Sequence, residues 1–494
     1  MNPLKKLLGQ TAVYGLSSII GRTLNYLLVP LYTYVFVNTA DYGVVSQLYA
    51  FVAFLMVLLT FGMETTFFRF SQDELDKEKV FRNSFVIIGT LNVLFFICVL
   101  LFTQDIADML LFSDHPQYIV LMAAIVVVDS MTSVPLAKLR AEEKAKQFAL
   151  IQFSSIGVNM ILNVVLLLWF FDPARPEEGI LFILFANLIA SLVKPLMLYK
   201  DFLSISLRID PAFIKRMLVY AFPIVIAGFA GIINEVIDRI MLKQLLSNAA
   251  DPQSIAAADA QIGIYSACYK LAMLITILLQ AYRYAAEPFF FNQLKNLERN
   301  KIYIKVMNYF IATMCLVFLV VSLNIDIFKY FIPNQAYWEG LKAVPILLLA
   351  NVFLGIYFNQ SIWYKLSNQT KYGAYISLMG AGLTIVINFI FIPIYGFMAS
   401  AWATLIVYAF QMVVSYFMGQ KYYPIKYNRK KFVMYLGTSI LFFFIVNSIP
   451  FGDHTLIQFL FSNLFVLLFI RVIFFVENVQ PRTLVNSLLK RPNA

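Results

Sequence analysis

The sequence predicts an all-α polytopic membrane protein with about 14 transmembrane helices. Hydrophobic residues make up 61% of its 494 residues and charged residues only 13%, whereas roughly a quarter of the residues of a soluble domain are charged. The apolar residues also form about 14 continuous runs of roughly 20 residues, the length of helix that crosses a bilayer core. Strands of a membrane barrel would instead alternate polar and apolar residues.

The first apolar run is retained as a membrane span in this prediction. It is too long for a removable signal peptide, it carries Arg22, and it lacks a small-residue cleavage site. In chain order, the predicted spans are 9–36, 42–66, 83–104, 117–138, 148–171, 178–199, 217–242, 262–284, 306–325, 341–363, 372–394, 397–419, 432–449 and 455–477.

Lys and Arg collect at both termini and in every second gap between the predicted spans. Because basic residues that flank spans are retained in the cytoplasm, this alternation predicts cytoplasmic termini and an even number of spans. It also accounts for the formal net charge of +11, so no nucleic-acid partner is implied. The exceptions are Arg175, Lys243, Lys329 and Lys342 in the alternate gaps, and Arg22, Arg239 and Lys270 inside spans.

The gaps between spans are short, which argues against an enzyme. The longest external gap, about 243–261, is small and polar. Membrane glycosyltransferases and polysaccharide polymerases usually need large external loops that carry charged residues, and no gap here has that size. The sequence also lacks a phosphate-binding P-loop and any spacing of metal ligands. We therefore expect no catalytic residues, no metal and no cofactor.

An internal repeat relates the second predicted span to the eighth. Ala40, Gly43, Ser46 and Tyr49 match Ala260, Gly263, Ser266 and Tyr269 at the same spacing. An even number of spans separates the copies, so both enter the membrane from the same side, as in parallel transporter repeats. This predicts two parallel six-helix lobes around a central cavity, at residues 1–200 and 201–420, with 421–494 adding a helix pair and a cytoplasmic tail.

A few charged or polar residues lie where the membrane makes them costly, and they are the candidate site. Glu235, Asp238 and Arg239 share one face of the seventh span by their spacing. Arg69 and Arg283 lie near the cytoplasmic ends of the second and eighth spans, where they either snorkel or act as gate residues. The remaining candidates are Arg22 with Asn25 on one face of the first span, Asp129 in the fourth, and Lys270 in the eighth.

Each intramembrane charge leaves two interpretations open. Glu235 and Arg239 have the spacing to neutralise each other, and Lys270 either pairs with Asp238 or binds an anionic headgroup. Arg22 has no acidic residue in its own span and therefore needs a partner on another helix, a cavity or a ligand.

Asp129 has two interpretations of the same kind. It either pairs with Arg22 or changes protonation as a coupling ion moves. Asp129, Glu235 and Asp238 thus form the predicted set of ion-coupling or charge-pairing residues.

Several short motifs resemble bacterial polysaccharide flippases of the multidrug/oligosaccharidyl-lipid/polysaccharide exporter superfamily. The motifs are Gly15-Leu-Ser-Ser-Ile-Ile-Gly21-Arg22, Tyr42-Gly43, Phe67-Phe-Arg69-Phe70, Tyr220-Ala-Phe-Pro223, Ile237-Asp238-Arg239, and Ile262-Gly263-Ile-Tyr265 leading to Lys270-Leu271. The resemblance implies a flippase that moves undecaprenyl-diphosphate-linked oligosaccharide from the cytoplasmic to the periplasmic leaflet by alternating access. It also implies a multi-pass protein of the bacterial inner membrane, driven by H⁺, Na⁺ or the membrane potential.

The same resemblance assigns substrate binding to Arg22, Asn25, Arg239 and Lys270, whose cations would hold the diphosphate. A departure from the family is that Asp129, Glu235 and Asp238 dilute the positive charge of the cavity. The expected partners are the lipid-linked oligosaccharide, membrane lipids, a coupling ion, a polysaccharide polymerase and glycosyltransferases. Two related functions remain alternatives: a peptidoglycan lipid-precursor flippase, and a multidrug or cation antiporter.

Overall fold

The protein consists of helices over the part of the chain that the structure, a computed structural model, describes. That part is residues 23–24, 26–73, 76–203, 209–293, 297–367, 369–451 and 455–477. It contains no named β-strand, which confirms the predicted all-α fold class. Within it, 13 helices are long and apolar enough to cross a membrane. The first predicted span, 9–36, lies largely outside the described residues, so this number agrees with the prediction of about 14 spans.

The helices follow one another with short connections. The first ten are α1 (Leu28–Val35), α2 (Thr39–Thr60), α3 (Met63–Asp73), α4 (Lys77–Leu101), α5 (Thr103–Met109), α6 (Pro116–Ala141), α7 (Ala145–Val165), α8 (Pro176–Met197), α9 (Tyr199–Leu203) and α10 (Pro211–Leu246). The others are α11 (Pro252–Asn292), α12 (Arg299–Leu323), α13 (Ile325–Phe328), α14 (Val344–Gln360), α15 (Ile362–Leu366), α16 (Lys371–Tyr395), α17 (Phe397–Tyr422), α18 (Arg429–Asn447) and α19 (Thr455–Val476).

Local sequence explains where several helices begin. A side-chain oxygen accepts a hydrogen bond from a backbone N–H of the first turn at four helix starts, and such caps stabilise a helix by about 1 kcal/mol. The capping residues are Asn38 of α2, Asp76 of α4, Asp210 of α10 and Asn428 of α18. Proline begins α6, α8 and α10, where its missing N–H costs nothing.

The chain divides into two compact units. The first unit contains the described residues up to Lys270, together with Ile332–Gly340 and Ala374–Ala403. The second unit contains Leu271–Phe331, Leu341–Gly373 and the described residues from Thr404 onwards. These boundaries do not coincide with the predicted lobe boundaries at 200 and 420, and the lobes remain a prediction.

Within the first unit, the gaps between spans gather in two sets. Basic residues near one set of helix ends form ion pairs with acids of neighbouring helix ends and connections: Lys79 with Asp210 (2.9 Å), Lys138 with Glu78 (3.0 Å) and Asp201 (3.2 Å), and Arg140 with Glu64 (2.8 Å). The alternate gaps also contact one another, as where the Tyr337 hydroxyl donates to the Phe36 carbonyl at 3.0 Å. The alternation of basic residues predicts such a grouping, and the assignment of one set to the cytoplasm remains a prediction.

The two glycines of the internal repeat meet in the first unit. A Cβ atom at Gly43 of α2 would collide with the carbonyl of Asp259 on α11. A Cβ atom at Gly263 of α11 would collide with the carbonyl of Thr39 on α2. Each glycine therefore faces the residue one turn before its counterpart in the other copy. The two repeated segments cross with a local two-fold relation, and only glycine permits backbones to approach this closely.

Candidate functional site

The described candidate residues divide between the two units. Arg22 and Asn25 lie outside the described residues. The first unit contains the other intramembrane candidates, on α6, α10 and α11: Asp129, Glu235, Asp238, Arg239 and Lys270.

Arg239 lies in a buried set of contacts that we call the Arg239 cluster: Arg239, Asp238, Tyr265 and Tyr269. The Arg239 Nη1 donates to the Asp238 Oδ1 at 3.0 Å and to the Glu235 carbonyl at 2.9 Å. The Tyr265 hydroxyl donates to the other Asp238 oxygen at 2.8 Å. The guanidinium also stacks over the rings of Tyr269 and Tyr265, at 4.7 and 5.6 Å from their centroids. Both carboxylate oxygens and the cation are therefore engaged.

This geometry decides between the interpretations of the seventh span. The acid that neutralises Arg239 is its neighbour Asp238, while Glu235 contributes only its backbone carbonyl. Lys270 is not the partner of Asp238, whose oxygens are bound by Arg239 and Tyr265. Arg239 and Asp238 are only 8% and 6% exposed, and a buried pair of this kind is stable only when further hydrogen bonds satisfy it.

Two charged side chains near the Arg239 cluster remain less engaged, and we call them the open charges: Glu235 and Lys270. The Glu235 side chain is exposed and Lys270 is half-buried. Within the described part of the chain, neither side chain forms a hydrogen bond or an ion pair. Lys270 interacts electrostatically with Arg239 and Glu235. An uncompensated cation at membrane depth is costly unless a cavity or ligand accommodates it.

The partner of Asp129 in the structure is Lys194, which lies near the end of another helix. The Lys194 Nζ donates to the Asp129 Oδ1 at 2.8 Å, and both side chains are largely buried. Lys194 belongs to the last turn of α8, and its long stem reaches from there to the carboxylate on α6. Asp129 therefore has a cation without needing Arg22.

Sequence reasoning missed a second buried ion pair. The sequence predicts Lys243 in an external gap. In the structure it lies in the last turn of α10 and is completely buried. Its Nζ is 3.0 Å from the Asp259 Oδ2 on α11 and 3.9 Å from the ring centroid of Phe112. The signal was available, because Lys243 follows Arg239 by one helical turn and shares its face.

The predicted gate residues differ in their surroundings. Arg69 is exposed on α3 in the first unit. In the second unit, the Arg283 guanidinium lies over the Phe358 ring, 4.3 Å from its centroid. The gate role of both residues remains a prediction. Among the described residues, no group of His, Cys, Asp and Glu has the arrangement of a metal site.

Comparison with known proteins places the chain in a family. Residues 7–294, more than half of the chain, match the family described as polysaccharide biosynthesis protein. No curated protein sequence matches the chain closely enough to count as a relative.

Solved structures of transporters have the same fold. The lipid II flippase MurJ in an inward closed conformation is similar with a TM-score of 0.68 at 16% identity, over 93% of this chain and 98% of that chain. A MATE protein in the straight conformation has a TM-score of 0.59 at 14% identity, over 85% and 96% of the two chains. An outward-facing multidrug resistance MATE family transporter of the MOP superfamily has a TM-score of 0.57 at 14% identity, over 85% and 98%.

These matches confirm the resemblance that the sequence motifs indicated. The chain belongs to the polysaccharide biosynthesis protein family and has the fold of the MOP-superfamily transporters.

Proposed function

We propose that this protein is a flippase for undecaprenyl-diphosphate-linked oligosaccharide, such as an O-antigen, capsule or exopolysaccharide unit. It would act in the bacterial inner membrane with both termini in the cytoplasm, and would move the glycan to the periplasmic leaflet by alternating access. The match to the polysaccharide biosynthesis family over residues 7–294 carries the proposal. The fold supports it, because proteins with this fold include a lipid II flippase and a multidrug resistance transporter.

The open charges fit the needs of a substrate with a diphosphate. Among the described residues, no acid binds the intramembrane cation Lys270, and a cation in a low-dielectric cavity attracts a phosphate strongly. We assign the diphosphate to Lys270 together with Arg22 and Asn25, the two sequence candidates that lie outside the described residues. Arg239 adds positive potential, but Asp238 already binds its guanidinium. Glu235 is the carboxylate available to a coupling H⁺ or Na⁺.

The transport test uses purified protein in proteoliposomes with a fluorescent lipid-linked oligosaccharide. Lys270→Ala should slow translocation by about ten- to a hundredfold, because a charge-assisted hydrogen bond is worth about 1.5–3 kcal/mol. The matched control is Arg175→Ala. Arg175 is an exposed cation that lies outside the spans and pairs with Glu178. It should transport at the wild-type rate.

The outcomes separate the site from the function. Wild-type rates in the Lys270→Ala variant would remove Lys270 from the mechanism and leave the flippase proposal standing. Failure of the wild-type protein to translocate any lipid-linked glycan would refute the function. Thermal unfolding of both variants in detergent checks that a slow variant is still folded.

The alternatives predict different consequences of gene deletion. A polysaccharide flippase predicts accumulation of lipid-linked oligosaccharide with its sugars facing the cytoplasm. Similarity to the lipid II flippase MurJ favours the second candidate, which predicts accumulation of the peptidoglycan precursor instead. Similarity to multidrug resistance MATE transporters favours the third, which predicts new drug sensitivity with an unchanged pool of lipid-linked glycan.

A further inference from the structure

A short segment of the first unit interrupts the second unit along the chain. It comprises Ile332–Gly340, and the segments before and after it, Leu271–Phe331 and Leu341–Gly373, belong to the second unit. We call this segment the strap. The alternation of basic residues predicts that the connection between α13 and α14, which contains the strap, is external, as are the connections that lead into α2 and α11. The strap therefore packs with helices that are distant from it in sequence.

One side of the strap is buried and the other is exposed. Ile332 and Tyr337 are completely buried, whereas Gln335 and Glu339 are exposed. The strap contains the beginning of a 3₁₀ helix of nine residues, Gln335–Ala343. Such helices are rarely longer than three or four residues, because their hydrogen bonds have poorer geometry. The packing of the buried side is therefore needed to hold the strap in place.

The strap is hydrogen-bonded to the connection between α1 and α2. The Tyr337 hydroxyl donates to the Phe36 carbonyl at 3.0 Å, and the Asn334 side-chain amide donates to the Val37 carbonyl at 3.1 Å. The Tyr337 ring also lies edge-on to the ring of Tyr42 on α2, with 6.0 Å between the centroids. Both donors are side chains, so these two bonds can break without the loss of any helical hydrogen bond.

The strap also covers part of α11. The Cys268 thiol donates to the Tyr337 carbonyl at 3.3 Å. A Cβ atom at Gly340 would lie 2.8 Å from both the Cys268 Sγ and the Ile264 carbonyl, so the strap backbone lies directly against α11 at this point. Cys268 is completely buried, and two residues of the strap contact it. Detachment of the strap would therefore uncover this thiol.

These contacts lie beside the crossing of the two repeated segments. Tyr42 and Ile264 are the immediate neighbours of Gly43 and Gly263, whose backbones touch where α2 and α11 cross. The strap thus bridges both copies of the repeat next to their point of closest approach. A transporter that works by alternating access has to loosen the external ends of its helices when it opens outward. The strap is placed where it would oppose that opening.

We propose that the strap is a latch that holds the external ends of α1, α2 and α11 together and detaches from them when the protein opens to the outside. This inference rests on the alternating access of the proposed function. Because each hydrogen bond contributes only modestly to stability, two of them favour the closed state and still allow it to open in every transport cycle. Closure buries the Tyr337 ring and the Cys268 thiol, and detachment exposes both.

The native Cys268 thiol is the reporter of detachment. Cys98→Ser and Cys315→Ser remove the other two cysteines of the chain. The full-length protein is then labelled in spheroplasts with a membrane-impermeant maleimide added outside. The labelling rate measures how often Cys268 is uncovered towards the external side.

Two substitutions in the strap should increase that rate. Tyr337→Phe keeps the ring and removes one hydrogen bond, so labelling should become about two- to tenfold faster. Asn334→Asp removes the amide donor but keeps the Oδ1 that accepts from the Ala336 N–H, and we expect an increase of the same order. The matched control, Gln335→Ala, removes an exposed side chain of the same strap and should label at the wild-type rate. Thermal unfolding in detergent checks that each variant is folded.

A reversible cross-link tests whether transport requires detachment. Cysteines introduced by Val37→Cys and Asn334→Cys are joined with a short bifunctional methanethiosulfonate, which dithiothreitol removes. The cross-link should stop both the labelling of Cys268 and the translocation of lipid-linked oligosaccharide, and reduction should restore both.

The outcomes distinguish failure of the strap from failure of the function. Labelling of Cys268 that is the same in cross-linked and reduced protein, or absent from both, would overturn the strap. Full translocation by the cross-linked protein, or wild-type labelling rates in both Tyr337→Phe and Asn334→Asp, would overturn it as well. If the cross-link controls labelling but the reduced protein translocates no glycan, the motion of the strap is supported and the proposed function fails.

Discussion

The Arg239 cluster and the open charges lie in the same pair of helices but differ in how completely their charges are bound. Arg239 is 8% exposed and contacts a carboxylate, a backbone carbonyl and two tyrosine rings. Lys270 is the next residue along α11 after Tyr269, whose ring packs on Arg239, yet no acid binds it within the described residues. One cation is built into the packing of α10 and α11, and the other is available to a ligand.

The difference teaches that the chemistry of an intramembrane charge is decided by its partners. A buried cation that is already paired gains less from a diphosphate, because the ligand would have to compete with the carboxylate of Asp238. An unsaturated cation gains its first strong partner when the ligand arrives. We therefore expect mutations in the Arg239 cluster to affect stability and mutations in the open charges to affect transport.

The largest expected effect comes from removing the acid of the Arg239 cluster. Asp238→Ala should lower the free energy of unfolding by about 3–5 kcal/mol, because it leaves a buried guanidinium without its carboxylate. The measurement is thermal unfolding in detergent, together with the yield of monodisperse protein.

The matched control removes the neighbouring carboxylate on the same helix. Glu235→Gln should change stability by no more than about 0.5 kcal/mol, since the Glu235 side chain is exposed and binds no cation directly among the described residues. Equal losses of stability in the two variants would show that the Arg239 cluster and the open charges do not differ in their contribution to folding.

A second test disturbs the helix packing and leaves every charge in place. Gly43→Ala or Gly263→Ala should lower stability by about 1–3 kcal/mol, because the added methyl meets backbone of the other helix. Gly263 lies on α11 between Asp259 and Tyr265, so displacement of α11 would also loosen the bonds to Lys243 and Asp238.

The control glycine lies in α10, where a Cβ atom would meet nothing. Gly231→Ala should leave stability equal or raise it by up to about 1 kcal/mol. If Gly43→Ala were as stable as Gly231→Ala, the close crossing of α2 and α11 would not be needed to hold the contacts of Arg239 in place.

Much of the fold was predictable because its determinants are local or periodic. Each span enters the lipid as a single helix. Its length and the basic residues that flank it can therefore be read directly from the sequence. The repeat even indicated Gly43 and Gly263 as equivalent positions. That they touch depends on how α2 and α11 cross, which their spacing along the chain does not specify.

The partners of the intramembrane charges were harder to predict. Asp129 meets Lys194 because a long side chain reaches back from a helix end. Lys243 is buried because α10 continues past the predicted span and pairs with Asp259 on the next helix. Both pairs join different helices, so helical spacing within one span does not identify the partner on the other helix.

The smallest expected effect concerns a partly exposed ion pair, which sharpens the contrast with the buried ones. Asp210 caps α10 and lies 2.9 Å from the Lys79 Nζ. That hydrogen bond and the N–H of Phe213 hold the pKa of Asp210 below its usual value of 3.8. Because the folded pKa is lowered, the stabilisation is present above the unfolded pKa and is lost as the pH falls through the folded pKa.

Asp210→Asn isolates the charge, since asparagine caps a helix as well as aspartate does. The variant should be slightly less stable than the wild type at neutral pH, and the difference should vanish in acid below the folded pKa. Thermal unfolding across this pH range measures it. Adding Lys79→Met to both proteins should remove most of the difference at neutral pH, and its persistence would assign the effect to the cap instead of the ion pair.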